Sequence, residues 1–143
     1  MHSISFMKGK CIQCHGCETA CKSWRAVETG VALRKVGNVW LGTYPNVRSE
    51  PFMIACAHCE DPACVEACPT GAIEKRKEDG VVVVNQNTCT GCRSCFDVCP
   101  IHAPQFVSDG TMQICDLCLD RIDFDSAAPP CVVTCPTKAL QFG

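Results

Sequence analysis

Sixteen cysteines in 143 residues limit what this chain can fold into more than any other feature. They form four sets of four. The first is Cys11, Cys14, Cys17 and Cys21 in CIQCHGCETAC, and the second is Cys56, Cys59, Cys64 and Cys68 in CAHCEDPACVEACP. The third is Cys89, Cys92, Cys95 and Cys99 in CTGCRSCFDVCP, and the fourth is Cys115, Cys118, Cys131 and Cys135, split between CDLC and CVVTCP. Every set opens C-x2-C and closes C-x3-C, so the chain carries an internal repeat. Proline follows the closing cysteine in three sets, at Pro69, Pro100 and Pro136.

Such a density belongs either to a disulfide scaffold in a secreted chain or to metal in a reducing compartment. The opening MHSISFMKGKCIQC has neither the apolar core nor the small-residue cleavage site of a secretory signal. No apolar run approaches the roughly 20 residues of a membrane span. The expectation is a cytoplasmic metalloprotein with no span of its own, co-export with a partner being the exception. The formal net charge is −2 with both signs mixed along the chain, so no basic patch points to nucleic acid. Apolar residues make up 47% of the sequence, but much of that is cysteine. What remains is a modest core for one compact unit over residues 1–143, of the kind that needs a staple.

The first and third sets match the C-x2-C-x2-C-x3-C run of bacterial ferredoxins, and the third adds the proline. Three closely spaced thiolates on a tight loop can grip three corners of an iron–sulfur cube. The fourth, after a short helical turn, faces away and in two-cluster ferredoxins ligates the neighbouring cube. The second set widens the middle gap, and the fourth widens it further with a loop holding Asp120, Arg121, Asp123 and Pro129-Pro130. Zinc also uses C-x2-C pairs, but has no use for a third cysteine so close behind the second. His15, His58 and His102 lie beside the cysteines. With sixteen thiols to hand they read as neighbours or donors to sulfide rather than ligands.

Between the motifs, AIEKRKEDGVVVVN (Ala72 to Asn85) predicts a hairpin turning at Asp79-Gly80. CETACKSWRAVE predicts a helix end, and RKVGNVWLG and PFMIA predict a strand pair divided by the Pro45 and Pro51 region. Trp24 and Trp40 are expected to fill the core over a cluster, and Lys75, Arg76 and Lys77 to form a solvated hairpin face.

With these motifs the chain resembles the four-cluster iron–sulfur subunit of the dimethyl sulfoxide reductase family. His58 to Val84, Cys89 to Phe106, Met112 to Arg121 and Pro130 to Gly143 carry the resemblance. It is also similar to the small polyferredoxin partners of tungsten aldehyde oxidoreductases, molybdenum enzymes, hydrogenases and formate dehydrogenases. The resemblance implies an α+β fold of two ferredoxin-like two-cluster halves with a cluster-dominated core. One half would comprise residues 1–30 with 107–143, the other 52–106, with 31–51 as a connecting insert. It implies four [4Fe-4S] clusters, held by Cys11, Cys14, Cys17 and Cys135; by Cys115, Cys118, Cys131 and Cys21; by Cys56, Cys59, Cys64 and Cys99; and by Cys89, Cys92, Cys95 and Cys68. Family members carry Tyr-Gly after the third set's proline, where this chain has Ile101-His102. Longer relatives continue past the point where this sequence stops at Gly143, so a compact complex without a membrane anchor is expected.

No nucleophile–base pair or phosphate loop stands out, so the chain is not expected to be catalytic alone. The resemblance implies an electron-transfer subunit of an anaerobic-type oxidoreductase. Its partners would be a large catalytic subunit with a molybdenum or tungsten pterin and a flavin-, quinone- or ferredoxin-linked acceptor. The alternatives are a free polyferredoxin carrier and, in another class, a zinc-binding interaction module. Metal analysis separates the zinc reading from the outset, and co-purification with a large subunit separates the free carrier. Protein purified without oxygen is expected to hold about sixteen iron and about sixteen acid-labile sulfide per chain, four of each per cube. A few zinc ions and no sulfide would overturn the iron–sulfur reading.

Overall fold

A computed structural model describes residues 2–143. All the strands pair as two-stranded antiparallel ribbons. β1 (Ile4–Phe6) pairs with β8 (Leu140–Phe142), which ties the two ends of the chain together. β2 (Arg34–Thr43) pairs with β3 (Asn46–Ala55), β4 (Ile73–Lys75) with β5 (Val82–Val84), and β6 (Gln105–Phe106) with β7 (Met112–Gln113). The predicted hairpin is therefore present. Its turn is closed by the Asp79 carboxylate, which accepts the Val81 N–H at 3.0 Å, and Gly80 supplies a left-handed residue (φ 76°).

One helix belongs to each cysteine set, and the third cysteine is always its second residue. The helices are α1 (Gly16–Arg25) with Cys17, α2 (Ala63–Glu66) with Cys64, α3 (Ser94–Asp97) with Cys95 and α4 (Pro130–Val133) with Cys131. Three of them last a single turn, because the proline behind the closing cysteine has no N–H and cannot extend a helix. The first set has Lys22 in that place, so α1 runs on through Cys21 to Arg25, where Ala26 caps it in the left-handed region. α1 packs against α4, and α2 against α3.

The strand pair of the long insert extends further than expected. It reaches from Arg34 to Ala55 and passes straight through Pro51, which sits opposite Asn38. A two-stranded ribbon has a free outer edge on each strand, so a missing N–H there costs no ladder bond. The ribbon is buried only at its base, at Arg34, Val36 and Ala55. Trp40 lies far out along it and is 70% exposed, and Trp24 is 47% exposed, so neither fills the core as expected. α4 spans one turn and cannot cover the far end of a ten-residue α1, where Trp24 sits.

The core itself is divided. Ile73, Val82, Cys95, Met112 and Ile114 form one buried cluster; Ala55, Val81, Cys115 and Leu117 a second; Cys21, Val31 and Leu33 a third. Each contains a cysteine. The accessible surface is 8365 Å², against about 7200 Å² expected for a compact protein of 15.5 kDa. With so little continuous apolar packing, metal-binding free energy must act as folding free energy. Anaerobic removal of iron is expected to abolish the native circular dichroism spectrum and the cooperative melt. An apo-protein that kept both would show that the ribbons and helices hold together without metal.

Candidate metal centres

The four C-x2-C loops share one backbone device. The residue two after the first cysteine is left-handed in every set: Gln13 (φ 57°), His58 (φ 49°), Gly91 (φ 69°) and Leu117 (φ 58°). A left-handed non-glycine residue costs about 1–2 kcal/mol, and repeated strain of this kind marks a functional loop. The twist turns backbone N–H groups toward sulfur. Gln13 N–H donates to Cys11 Sγ at 3.4 Å, and the His58 N–H serves Cys56 in the same way. In the third set glycine is required, since a Cβ on Gly91 would collide with the Gly110 carbonyl oxygen.

The third cysteines are treated alike. The N–H of the following residue, Glu18, Val65, Phe96 or Val132, donates to the carbonyl three residues back and also sits near enough to the sulfur of Cys17, Cys64, Cys95 or Cys131 to oppose the effect of burial. The closing cysteines have a second device, C-P-x-x-A. In CPTGA, CPIHA and CPTKA the third residue after the cysteine is left-handed: Gly71 (φ 63°), His102 (φ 50°) and Lys138 (φ 53°). The alanine N–H then reaches back to sulfur, Ala72 to Cys68 at 3.3 Å, Ala103 to Cys99 at 3.4 Å and Ala139 to Cys135 at 3.2 Å. Hydrogen bonds to a charged acceptor contribute about 1.5–3 kcal/mol each, so these nests favour thiolates. His102 thus holds a backbone conformation that glycine adopts without strain. Its Nδ1 lies 3.1 Å from the Phe96 carbonyl and its ring stacks on Phe96.

No disulfide joins any two of the sixteen cysteines. Three cavities gather them across sets. Cys11, Cys14 and Cys17 line one with Cys135; Cys56, Cys59 and Cys64 line another with Cys99; Cys89, Cys92 and Cys95 line a third with Cys68. Cys115, Cys118, Cys131 and Cys21 lie close together beneath α1, where Cys21, Cys115, Cys118 and Cys131 are all buried. Met112, 1% exposed, lines both of the latter two cavities and donates its N–H to Cys89 Sγ at 3.4 Å.

Burial pushes the Cys21, Cys56 and Cys118 thiols up to about 12 and Cys95 up to about 11, with neighbouring sulfurs adding to the effect. Such groups are neutral near pH 7 unless a metal takes the proton's place. Cys68 and Cys135 go the other way: burial would raise them, but the hydrogen bonds of their nests hold them below the ordinary thiol value. The donor set therefore suits a multi-metal group anchored on thiolates and ringed by N–H donors, the setting of an iron–sulfur cube.

The other side chains divide as follows. His15 is exposed and pairs with Glu18 at 3.2 Å. His58 is 3% exposed; its Nδ1 accepts the Val82 N–H at 3.0 Å, and burial lowers its pKa to about 4, so the ring is neutral with its proton on Nε2. That Nε2 has no protein partner. All three histidines are neighbours of the cysteines. Lys75 is not a simply solvated side chain, for its Nζ donates to the Cys59 and Glu60 carbonyls at 2.7 Å each and clamps the second set's loop. Sequence reasoning missed this clamp and also missed Arg34, a guanidinium 1% exposed among the sulfurs. The recurring alanine of C-P-x-x-A was a visible signal for the nests. Nothing in the sequence marked Arg34.

Comparison with known proteins agrees with this chemistry. Residues 47–143 match the family described as 4Fe-4S dicluster domain, and residues 8–29 match the 4Fe-4S binding domain. The B chain of the anaerobic dimethyl sulfoxide reductase of Escherichia coli K12 is 41% identical over 146 residues, covering 94% of this chain and 69% of the relative. The B subunit of the sulfite dehydrogenase of Allochromatium vinosum is 36% identical over 154 residues, 93% of this chain and 64% of its own length. Protein NrfC of Escherichia coli K12 is 37% identical over 136 residues, 93% of this chain and 60% of its own length. The matched domains and the sixteen cysteines fit four [4Fe-4S] clusters, and the protein belongs to the family of iron–sulfur electron-transfer subunits that includes the B chain of anaerobic dimethyl sulfoxide reductase.

Proposed function

We propose that the chain relays single electrons between a molybdenum- or tungsten-pterin catalytic subunit and a second redox partner, which is flavin-, quinone- or ferredoxin-linked. The observation that carries this reading is the mixing of sets in the cavities. Each groups three cysteines of one set with the closing cysteine of another, as reciprocal donation in two-cluster ferredoxins requires. We assign one cube each to Cys11, Cys14, Cys17 and Cys135; to Cys115, Cys118, Cys131 and Cys21; to Cys56, Cys59, Cys64 and Cys99; and to Cys89, Cys92, Cys95 and Cys68. When bound, these groups supply reversible one-electron chemistry.

The first and fourth sets form one half, supported by the β1–β8 ribbon and the α1–α4 contact; the second and third form the other, supported by the α2–α3 contact. Proximity between sets supports a row. Cys131 acts on Cys17, Cys115 on Cys56 and Cys64 on Cys95 through their charges. The order is then the Cys11 cube, the Cys115 cube, the Cys56 cube and the Cys89 cube. Arrangement in a row suits one-electron hopping, which fails quickly with distance. We place the catalytic subunit at the Cys11 end, where the long ribbon leans on the first set through Lys8–Glu50 at 3.1 Å and Gln13–Ser49 at 3.1 Å. The far part of that ribbon and its turn expose Trp40, Tyr44 (92%) and Val47, large apolar side chains available to a partner. Among the described residues no helix is long and apolar enough to cross a membrane.

Cys21→Ser tests the pairing. It is expected to alter the electron paramagnetic resonance signal of the cube held by the fourth set. A change confined to the Cys11, Cys14, Cys17 cube would overturn the assignment.

Cys92→Ser in the intact complex tests the direction. Transfer to the external acceptor is expected to slow severalfold while substrate still reduces the remaining clusters at the parent rate. If substrate no longer reduces any cluster in a folded complex, the catalytic subunit docks at the opposite end. Purification under mild conditions tests the complex itself: a large subunit is expected to remain bound, whereas a free carrier would emerge alone.

A further inference from the structure

Among the described residues, Arg34 is the one charged side chain in the buried interior, 1% exposed at the base of β2. A buried cation is costly unless a counter-charge sits beside it. Among the described residues, no carboxylate forms an ion pair with Arg34. Its Nη2 lies 3.8 Å from Cys115 Sγ, its Nη1 meets Met53 Sδ at 2.8 Å, and its Nε has no partner. The anions it faces are sulfurs: Cys115 and Cys131 first, then Cys21, three of the four cysteines assigned to one cube. Its charge also reaches Cys17 of the neighbouring set, where it opposes the effect of burial. Of the other five arginines, four pair with carboxylates: Arg25 with Asp116 and Asp120, Arg48 with Glu50, Arg76 with Glu78 and Asp79, and Arg121 with Asp120.

We propose that Arg34 is the built-in counter-cation of the cube held by Cys115, Cys118, Cys131 and Cys21, and that it sets that cube's reduction potential above the value its burial alone would give. This rests on the ligand assignment made above. Four thiolates on a cube whose core carries about +2 leave a negative site. One-electron reduction by an adjacent reduced cube makes it more negative by one charge, and no proton need move. Burial opposes that extra charge and lowers the potential. A fixed guanidinium at a few ångströms in a low-dielectric interior favours it. Arginine suits the task because it cannot lose its proton inside a protein. The second position in the row thereby becomes a place where an arriving electron is held rather than repelled. The cavity at the Cys89 end is also lined by an arginine, but Arg93 is exposed and stacks over the Phe106 ring at 4.7 Å, where Arg34 is buried among sulfurs.

The experiment is a potentiometric titration of the intact protein followed by electron paramagnetic resonance, comparing the parent with Arg34→Gln and Arg34→Lys. Cys21→Ser identifies which signal belongs to the cube in question. Arg34→Gln is expected to lower the midpoint of that signal by at least a tenfold change in the one-electron equilibrium, about 59 mV. Arg34→Lys keeps the charge and is expected to stay near the parent value, and the signal of the cube of Cys89, Cys92, Cys95 and Cys68 should not move. Selective loss of the Cys115 cube in the Gln variant, with the Lys variant fully loaded, supports the proposal too, because charge is what separates the two. Unchanged midpoints in an iron-replete Gln variant overturn it. So does an equal drop or equal cluster loss in both variants, which would assign Arg34 a packing role alone. Iron content of the parent, measured first, separates any of these results from a failure of the four-cluster reading.

Discussion

The structure depends on how sixteen cysteine sulfurs, five of them buried and only three exposed, can be held close together in a small protein. Desolvation alone drives buried thiols toward their neutral form, as Cys21, Cys56 and Cys118 show. Three things reverse the balance: metal, backbone N–H groups aimed at sulfur and one buried guanidinium. The chain gives up ordinary packing to supply them. It bends four tripeptides of unlike sequence into the same left-handed turn, stops three helices after one turn, and leaves its apolar residues in three separate groups rather than one core. What would count as a weak fold by hydrophobic burial is a fold organised around coordination.

Much of this was legible in the spacing of the cysteines, because spacing is what a cube constrains. The Asp79-Gly80 hairpin and the helix over the first set were equally readable, since turn residues and periodicity act locally. Other features were hidden for physical reasons. The left-handed residues at Gln13, His58 and Leu117 are not glycines, so nothing in their identity announces the strain they carry. Trp24 and Trp40 are large and apolar, which argues for burial, but α4 is too short to cover Trp24, and Trp40 lies far out along a two-stranded ribbon that is buried only at its base. Lys75 sits on the hairpin face where charge is ordinarily solvated, and only the fold brings the Cys59 and Glu60 carbonyls within its reach. Arg34 follows the same rule, being buried by a ribbon whose base its position alone does not reveal.

His58 and Arg34 make an instructive pair. Both are almost fully buried, both leave a ring or guanidinium nitrogen without a protein partner, and both lie beside cysteines. They differ in charge. His58 is forced neutral, by burial first and then by the field of Arg34 itself, so it offers a dipole and no net charge. Arg34 cannot be neutralised. Among the described residues the interior therefore contains a single fixed positive charge, which faces sulfurs of the first and fourth sets and whose field reaches His58 of the second. On the pairing proposed above, the two halves are thus made electrostatically unequal by one residue.

The same half is also the one that departs from the repeat in shape. Its first set lacks the proline that ends the other helices, so α1 runs ten residues and carries Arg25 to Asp116 and Asp120 at 2.7 and 2.6 Å, which ties the helix to the fourth set's loop. The long ribbon leans on this first set as well, and Glu18 of α1 accepts the Val36 N–H near the ribbon's base. By contrast the half formed by the second and third sets has only one-turn helices, short ribbons and glycine-dependent loops such as Gly91. A wire needs no difference between its ends, but a subunit that must present one end to a particular partner does. Under that pairing the two departures from the repeat, Lys22 where the other sets have proline and Arg34 among buried sulfurs, fall in one half of the chain, which is where a difference between the two ends of a wire would originate.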